Sequence, residues 1–135
     1  MRLILLLCLS ALLIGYAIAD EQPKIRFGEV LAESPGTKPV FLEQNRFAIT
    51  PETLYGLVVE KPSATPFTLS TIHFIPRQDG SGEFNKVASR MVEAIGSSAV
   101  WLKPLQDDPT GIYMMEVYVD LRLVTTIEYE LYKVH

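Results

Sequence analysis

From Leu123 to Tyr132 the chain alternates in character at every step. Leu123, Thr125, Ile127, Tyr129 and Leu131 fall on one side, and Val124, Thr126, Glu128, Glu130 and Tyr132 on the other. A period of two is the signature of a β-strand with one buried face, because successive side chains of an extended backbone point in opposite directions. Just before it, Ile112 to Val119 is a second run of strand-forming residues, separated from the first by Asp120 to Arg122. The two runs read as a C-terminal β-hairpin. Any fold for this chain must build on that pair.

The preceding residues continue the theme. Residues 25–32 read as a strand with Ile25, Phe27 and Leu31 on one face, closed by the turn Ser34-Pro35-Gly36-Thr37. Val40 to Leu42 and Phe47 to Ile49 are short apolar pieces around a polar stretch, which suits an edge segment crossing between sheets. Residues 53–60 carry apolar side chains on both faces toward their end, as expected of a central strand. Residues 67–75 form the next strand, ended by Pro76, and 77–82 are a loop. In 84–95, Phe84, Val87, Ala88, Met91, Val92 and Ile95 make an amphipathic helical stripe, with Gly96 as its cap. That spacing favours a short helix, while the surrounding strands favour an irregular crossing segment; both readings stand. Residues 99–105, with Trp101, read as a strand. About seven short strands punctuated by Pro and Gly point to a mainly β fold, an antiparallel sandwich.

The segment Pro109-Thr110-Gly111-Ile112-Tyr113 through Val117-Tyr118-Val119-Asp120, with Leu123-Val124 and Tyr129-Glu130-Leu131, resembles the last hairpin of many bacterial immunoglobulin-like domains. Phe47-Ala48-Ile49-Thr50-Pro51, Leu54-Tyr55-Gly56 and Phe74-Ile75-Pro76 are similar to a small exported bacterial family of unknown function with the same sandwich. The resemblance covers residues 40–132 and implies the fold and export, without an activity. One departure stands out. Such hairpins usually turn on Asp-Gly, which supplies the positive φ. Here Leu121 follows Asp120, so the connection is expected to be longer or differently shaped.

The N-terminus carries an export signal in its layout. Arg2 is followed by the apolar run Leu3 to Ile14, Gly15 breaks it, and Ala17-Ile18-Ala19 has the small-x-small pattern a signal peptidase accepts before Asp20. The run is shorter than the roughly 20 apolar residues of a membrane anchor, so the mature form carries no span. Cys8 lies after Leu5-Leu6-Leu7 and too early to be a lipid-bearing cysteine. The expectation is a signal peptide over 1–19, cleavage at Ala19-Asp20, one domain over 20–135, and a periplasmic or secreted location. Cys8 is the only cysteine, so 20–135 forms no internal disulfide and must fold on its core. With 48% apolar and 21% charged residues, the chain has the composition to do so.

Removing Arg2 from the 12 basic residues leaves 11 against 16 acidic ones, a net charge of −5 for 20–135. A mildly acidic surface repels phosphate backbones and anionic lipid, which argues against nucleic acid or membrane as partner. No Asn-x-Ser/Thr acceptor occurs.

The residues offer little chemistry. The only histidines are His73 and the terminal His135. Ser70 and His73 are three apart on a strand and face opposite ways, so they build no nucleophile–base pair. Asp79 with Glu83, and Asp107 with Asp108, are loop acids that match no calcium loop, and there is no zinc set and no phosphate-cradling glycine motif. No cofactor is implied. Tyr55, Tyr113, Tyr118, Tyr129, Tyr132 and Trp101 could stack on a sugar or peptide, although core packing is the commoner use of such residues; Tyr118 and Tyr132 are the ones expected at the surface. Three functions are compatible with these residues, in descending order. The first is a non-enzymatic binding or accessory domain whose partner is another extracytoplasmic protein. The second is a binder of a small hydrophobic ligand held between the sheets or under 84–95 and lined by Met91, Met114 and Met115. The third is an enzyme using His73 as base, which requires His73 in a cleft beside an acid.

Overall fold

The structure, a computed structural model, describes residues 22–31 and 39–135. The proposed signal peptide and the 34–37 turn lie outside the described residues. Within them the secondary structure is entirely β: β1 Lys24–Leu31, β2 Val40–Glu43, β3 Arg46–Ala48, β4 Tyr55–Lys61, β5 Phe67–Pro76, β6 Phe84–Ala88, β7 Val92–Ala94, β8 Gly96–Leu102, β9 Gly111–Val119 and β10 Arg122–Tyr132. None of the described residues forms a helix long and apolar enough to cross a membrane.

The strands form two sheets. One has the order β2-β1-β4-β8; the other runs β3-β10-β9-β5-β6, with β7 also pairing β5. All pairings are antiparallel except β3 with β10. The chain passes from the first sheet to the second across Gln44 and Asn45, between β2 and β3, as the broken apolar pattern there suggests. β4 lies between β1 and β8, which explains its two apolar faces.

The inward rows of both sheets interlock. Leu57 and Val59 of β4 meet Phe67 and Leu69 of β5 and Met115 and Val117 of β9 in one buried core. At the centre, rings from both sheets pack together. Phe47 stacks on Tyr55 at 4.6 Å, Tyr113 stacks on Tyr129 at 5.3 Å, and Phe27 meets Phe47 edge-on at 5.5 Å. Each such pair adds about 0.5–1.5 kcal/mol beyond the area it buries. The Tyr113 hydroxyl donates 2.6 Å to the Pro109 carbonyl at the start of β9. This is the tyrosine corner that pins a strand to its preceding loop in immunoglobulin-like sandwiches.

Four local expectations change. First, 84–95 forms no helix. It lies along β5, whose ten residues offer a free row of backbone groups, and pairs with it as two short strands. The apolar stripe that suggested a helix has no layer to pack against: Val87, Met91, Val92 and Ile95 are all exposed. Second, the strand read at 99–105 is shifted to 96–102, and Pro104, which has no N–H to donate, lies past its end. Third, the β9–β10 connection is no longer than usual. Val119 pairs with Arg122, so Asp120 and Leu121 alone make the turn, with φ of 50° and 65°. Asp120 is tied in place: its Oδ1 accepts the Thr68 N–H at 3.0 Å, its own N–H donates to the Thr68 carbonyl, and Lys61 Nζ sits 3.1 Å from Oδ2. Leu121 is carried into the left-handed region with it. Fourth, the alternation in β10 breaks at a bulge. Leu123 pairs with Tyr118 and Thr125 with Val117, leaving Val124 as the extra residue. Val124 packs on the core, while Leu123, expected inside, is 52% exposed on the outer face.

Candidate functional site

Two features stand out once the core is accounted for. The first is a cleft between the sheets. Along β5 the inward side chains are Phe67, Leu69, Thr71, His73 and Ile75; the first three are buried and the last two only half-buried. At that end the layers part, leaving a cavity of about 320 Å³ lined by Tyr55, His73, Val87, Leu102, Asp108 and Tyr113, among others. Tyr129 lines it as well, so three core tyrosines border the space. Burial pushes the phenols of Tyr55, Tyr113 and Tyr129 upward in pKa, with the nearby Asp108 carboxylate adding to the effect in all three. Burial also lowers the pKa of His73, which favours its neutral ring. His73 Nε2 and Thr71 Oγ1 share a hydrogen bond of 2.8 Å, and the Thr71 N–H donates 2.8 Å to Ser89 Oγ.

His73 is therefore in a cleft that Asp108 also lines, but the hydrogen bond that orients it comes from a buried threonine hydroxyl. Asp108 is engaged elsewhere, its Oδ2 accepting the Leu105 N–H at 2.7 Å. The base–acid pair that the enzymatic reading needed is not built. Nor is the methionine lining. Met114 and Met115 are neighbours on one strand and face opposite ways, Met115 into the core and Met114 outward, and Met91 is exposed. The cavity does lie under the 84–95 segment, but its walls are tyrosine, histidine and aliphatic side chains.

The loop acids are accounted for locally. Arg77 sits between Asp79 at 2.7 Å and Glu83 at 3.0 Å, and Asp79 also accepts the Ser81 N–H, which with the Ser81 side chain holds its carboxyl below the usual range. Among the described residues no three His, Cys, Asp or Glu side chains gather in a metal-holding arrangement.

The second feature is the outer face and free edge of the four-stranded sheet. Gly28 pairs with Gly56, and Gly56 with Trp101, so two bare positions sit side by side on adjacent strands. Glycine is required at both, because a Cβ would run into the backbone carbonyls of Leu42 and Val100. Without side chains there, Phe41 from β2 and Trp101 from β8 reach across the sheet until their rings meet at 6.2 Å, edge to face. The Arg26 guanidinium lies 5.4 Å from the Phe41 ring and pairs with Glu60 at 3.1 Å. Trp101 remains 43% exposed. Tyr118 and Tyr132, the expected surface aromatics, are half-buried, and Tyr132 is covered by Arg46 at 4.9 Å.

Trp101 stands on β8, an edge strand unlike the other edges. β2 has four residues and ends on Glu43; β3 has three and begins with Arg46; β6 and β7 are short, broken, and carry Lys86 and Glu93. β8 runs seven residues, Gly-Ser-Ser-Ala-Val-Trp-Leu, without a charge or a proline. Its outer side pairs with no other strand among the described residues. In the sequence Trp101 is one of six candidate aromatics and not among those expected at the surface; the uncharged run 96–102 is the signal that points to the edge.

Among solved structures, the chain is similar to an immunoglobulin-like protein, PA1606, from Pseudomonas aeruginosa, with a TM-score of 0.51 and 14% identity over 84% of this chain and 99% of that one. It also matches part of the Pseudomonas fluorescens alkylpurine DNA glycosylase AlkC, at TM-score 0.44 and 12% identity, covering 82% of this chain and 30% of that one. A further match is to a β-glucosidase from Listeria innocua, at TM-score 0.45 and 8% identity, covering 84% and 16%. No family model and no curated protein matches. The fold is an immunoglobulin-like β-sandwich, as the last hairpin suggested.

Proposed function

We propose that this chain is an exported, non-enzymatic binding domain that joins a further polypeptide chain outside the cytoplasm. The observation that carries this reading is the β8 edge. Natural sheets protect their edges with charge, proline or brevity, because a bare row of N–H and C=O groups pairs with any extended chain. Among the described residues three sheet edges follow that rule and the fourth does not. An unprotected edge beside an exposed tryptophan is the equipment for strand addition, where backbone hydrogen bonds supply affinity and the aromatic supplies specificity.

The test is a paired capture. The protein is purified from an exporting host, its N-terminus is read by mass spectrometry, and it is used as bait in the envelope and medium of its native cell. A start at Asp20 and a protein partner that is lost from the Ala99→Lys and Trp101→Ala baits support the proposal. A retained Met1 overturns the export, and a partner that holds equally to all three baits overturns the edge.

The cleft favours a second reading, a small ligand held under β6. Its volume of about 320 Å³ lies at the lower end of the range for ligand sites. A non-covalent adduct in native mass spectrometry of the exported protein, abolished by Val87→Trp, would establish it. Spectra showing the bare chain alone would set it aside.

A further inference from the structure

We infer that the partner taken by the β8 edge is the β8 edge of a second copy of this chain, paired antiparallel about a two-fold axis through Ala99. This deepens the binding-domain reading and rests on it. An isologous contact demands that one stretch be complementary to itself run backwards. With Ala99 opposite Ala99 of the copy, Ser98 faces Val100, Ser97 faces Trp101 and Gly96 faces Leu102. Every pair away from the axis sets a small residue against a large one, on both faces of the sheet.

The faces agree with this register. Ser97, Ala99 and Trp101 point outward and are exposed; Ser98, Val100 and Leu102 point inward and are half-buried. Trp101 already leans across Gly56 toward Phe41, so it leaves the ground in front of the copy's strand free. Charge agrees as well. The domain is net acidic and copies repel at long range, yet the seven residues that would meet carry no charge at all. The two four-stranded sheets would join into one of eight strands, which closes the unprotected β8 edge of each copy. An extended segment of an unrelated protein could use the same backbone groups, but the small-against-large order of 96–102 has no reason to be self-complementary for such a partner.

Sedimentation velocity across a concentration series tests this on the exported protein. A dimer is expected, and Ala99→Lys should weaken it at least about tenfold, because like charges then stand directly opposite each other. Ala99→Glu should do the same. Mixing the two variants should restore a heterodimer, which only a register that sets residue 99 against itself can produce. Ala99 is exposed, so the fold should tolerate both changes; thermal melts check this, and Ser97→Lys is the replacement should either variant fail to fold. A wild-type monomer at every concentration, or a dimer indifferent to these substitutions, overturns the self-pairing. If the wild type is monomeric while Ala99→Lys still abolishes capture of a different protein, the edge stands and only its occupant is wrong. If neither dimer nor edge-dependent capture is seen, both readings fall.

Discussion

One strand passes through two different interiors. At its start β5 places Phe67, Leu69 and Thr71 in a layer closed from both sides; further on, the same inward row continues as His73 and Ile75, half-covered above the tyrosine hydroxyls. The alternation does not change along the strand, only what lies opposite. The closed half faces Leu57 and Val59 at the centre of the four-stranded sheet, and the open half faces the end of its last strand, where Leu102 gives way to Lys103 and Pro104. The polar side chains of the interior collect where the cover ends. The difference teaches that one unbroken alternation yields a closed interior or an open one according to what the opposing sheet places across from it.

The largest expected effect tests the closed half. Leu57→Ala removes a fully buried side chain and should cost about 3 kcal/mol in urea unfolding, whereas Ile75→Ala in the open half should cost less than about 1 kcal/mol. Equal costs would break the comparison. Next, Tyr113→Phe deletes the hydroxyl by which a residue lining the cleft holds the Pro109 carbonyl, and should cost about 1 kcal/mol with the fold retained. A loss of nothing would mean that water replaces the phenol freely and that the open half reaches further in than the geometry shows. Of similar size and opposite sign, Leu121→Gly should raise the melting temperature by relieving about 1 kcal/mol of left-handed strain at the far turn, without altering the cleft.

The smallest effect sharpens the contrast by pH. Burial lowers the His73 pKa in the folded state below its ordinary 6.5. The unfolded chain therefore takes up a proton first as pH falls, so the contribution of neutral His73 is complete above pH 6.5 and is lost as pH drops through the folded pKa. His73→Gln should flatten stability in that window and leave it unchanged above. An unchanged slope in the variant would show that His73 is solvated like a surface residue.

Much of this architecture is legible in the sequence, and the parts that are not share one cause. The hairpin, the crossing between 40 and 49 and the central place of 55–61 were legible because each rests on alternation or on an interruption of it. The 84–95 stripe leaves helix and crossing segment both open, because helical spacing says which residues share a face, not whether anything is there to cover it. Met114 and Met115 share a chemistry but, as consecutive residues of β9, point to opposite faces. Of the surface aromatics, the sequence points to Tyr118 and Tyr132, while the structure exposes Trp101 and half-buries those two. Nothing in Gly28 and Gly56 alone, 28 residues apart, reveals that they become neighbours beneath the Trp101 ring.

What the chain determines by itself is local: where the backbone extends, where it turns, which face of each strand is apolar, and that Asp120 opens a turn. Those follow from interactions among near neighbours in sequence. The tertiary structure decided the rest. It placed β8 at a sheet edge with β4 as its one neighbour among the described residues, drew Leu121 into a conformation its side chain resists, set Val124 rather than Leu123 against the core, and opened the cleft over His73. Each depends on which strands lie side by side and where the opposing layer stops, and pairings between residues far apart in the chain carry no local signature.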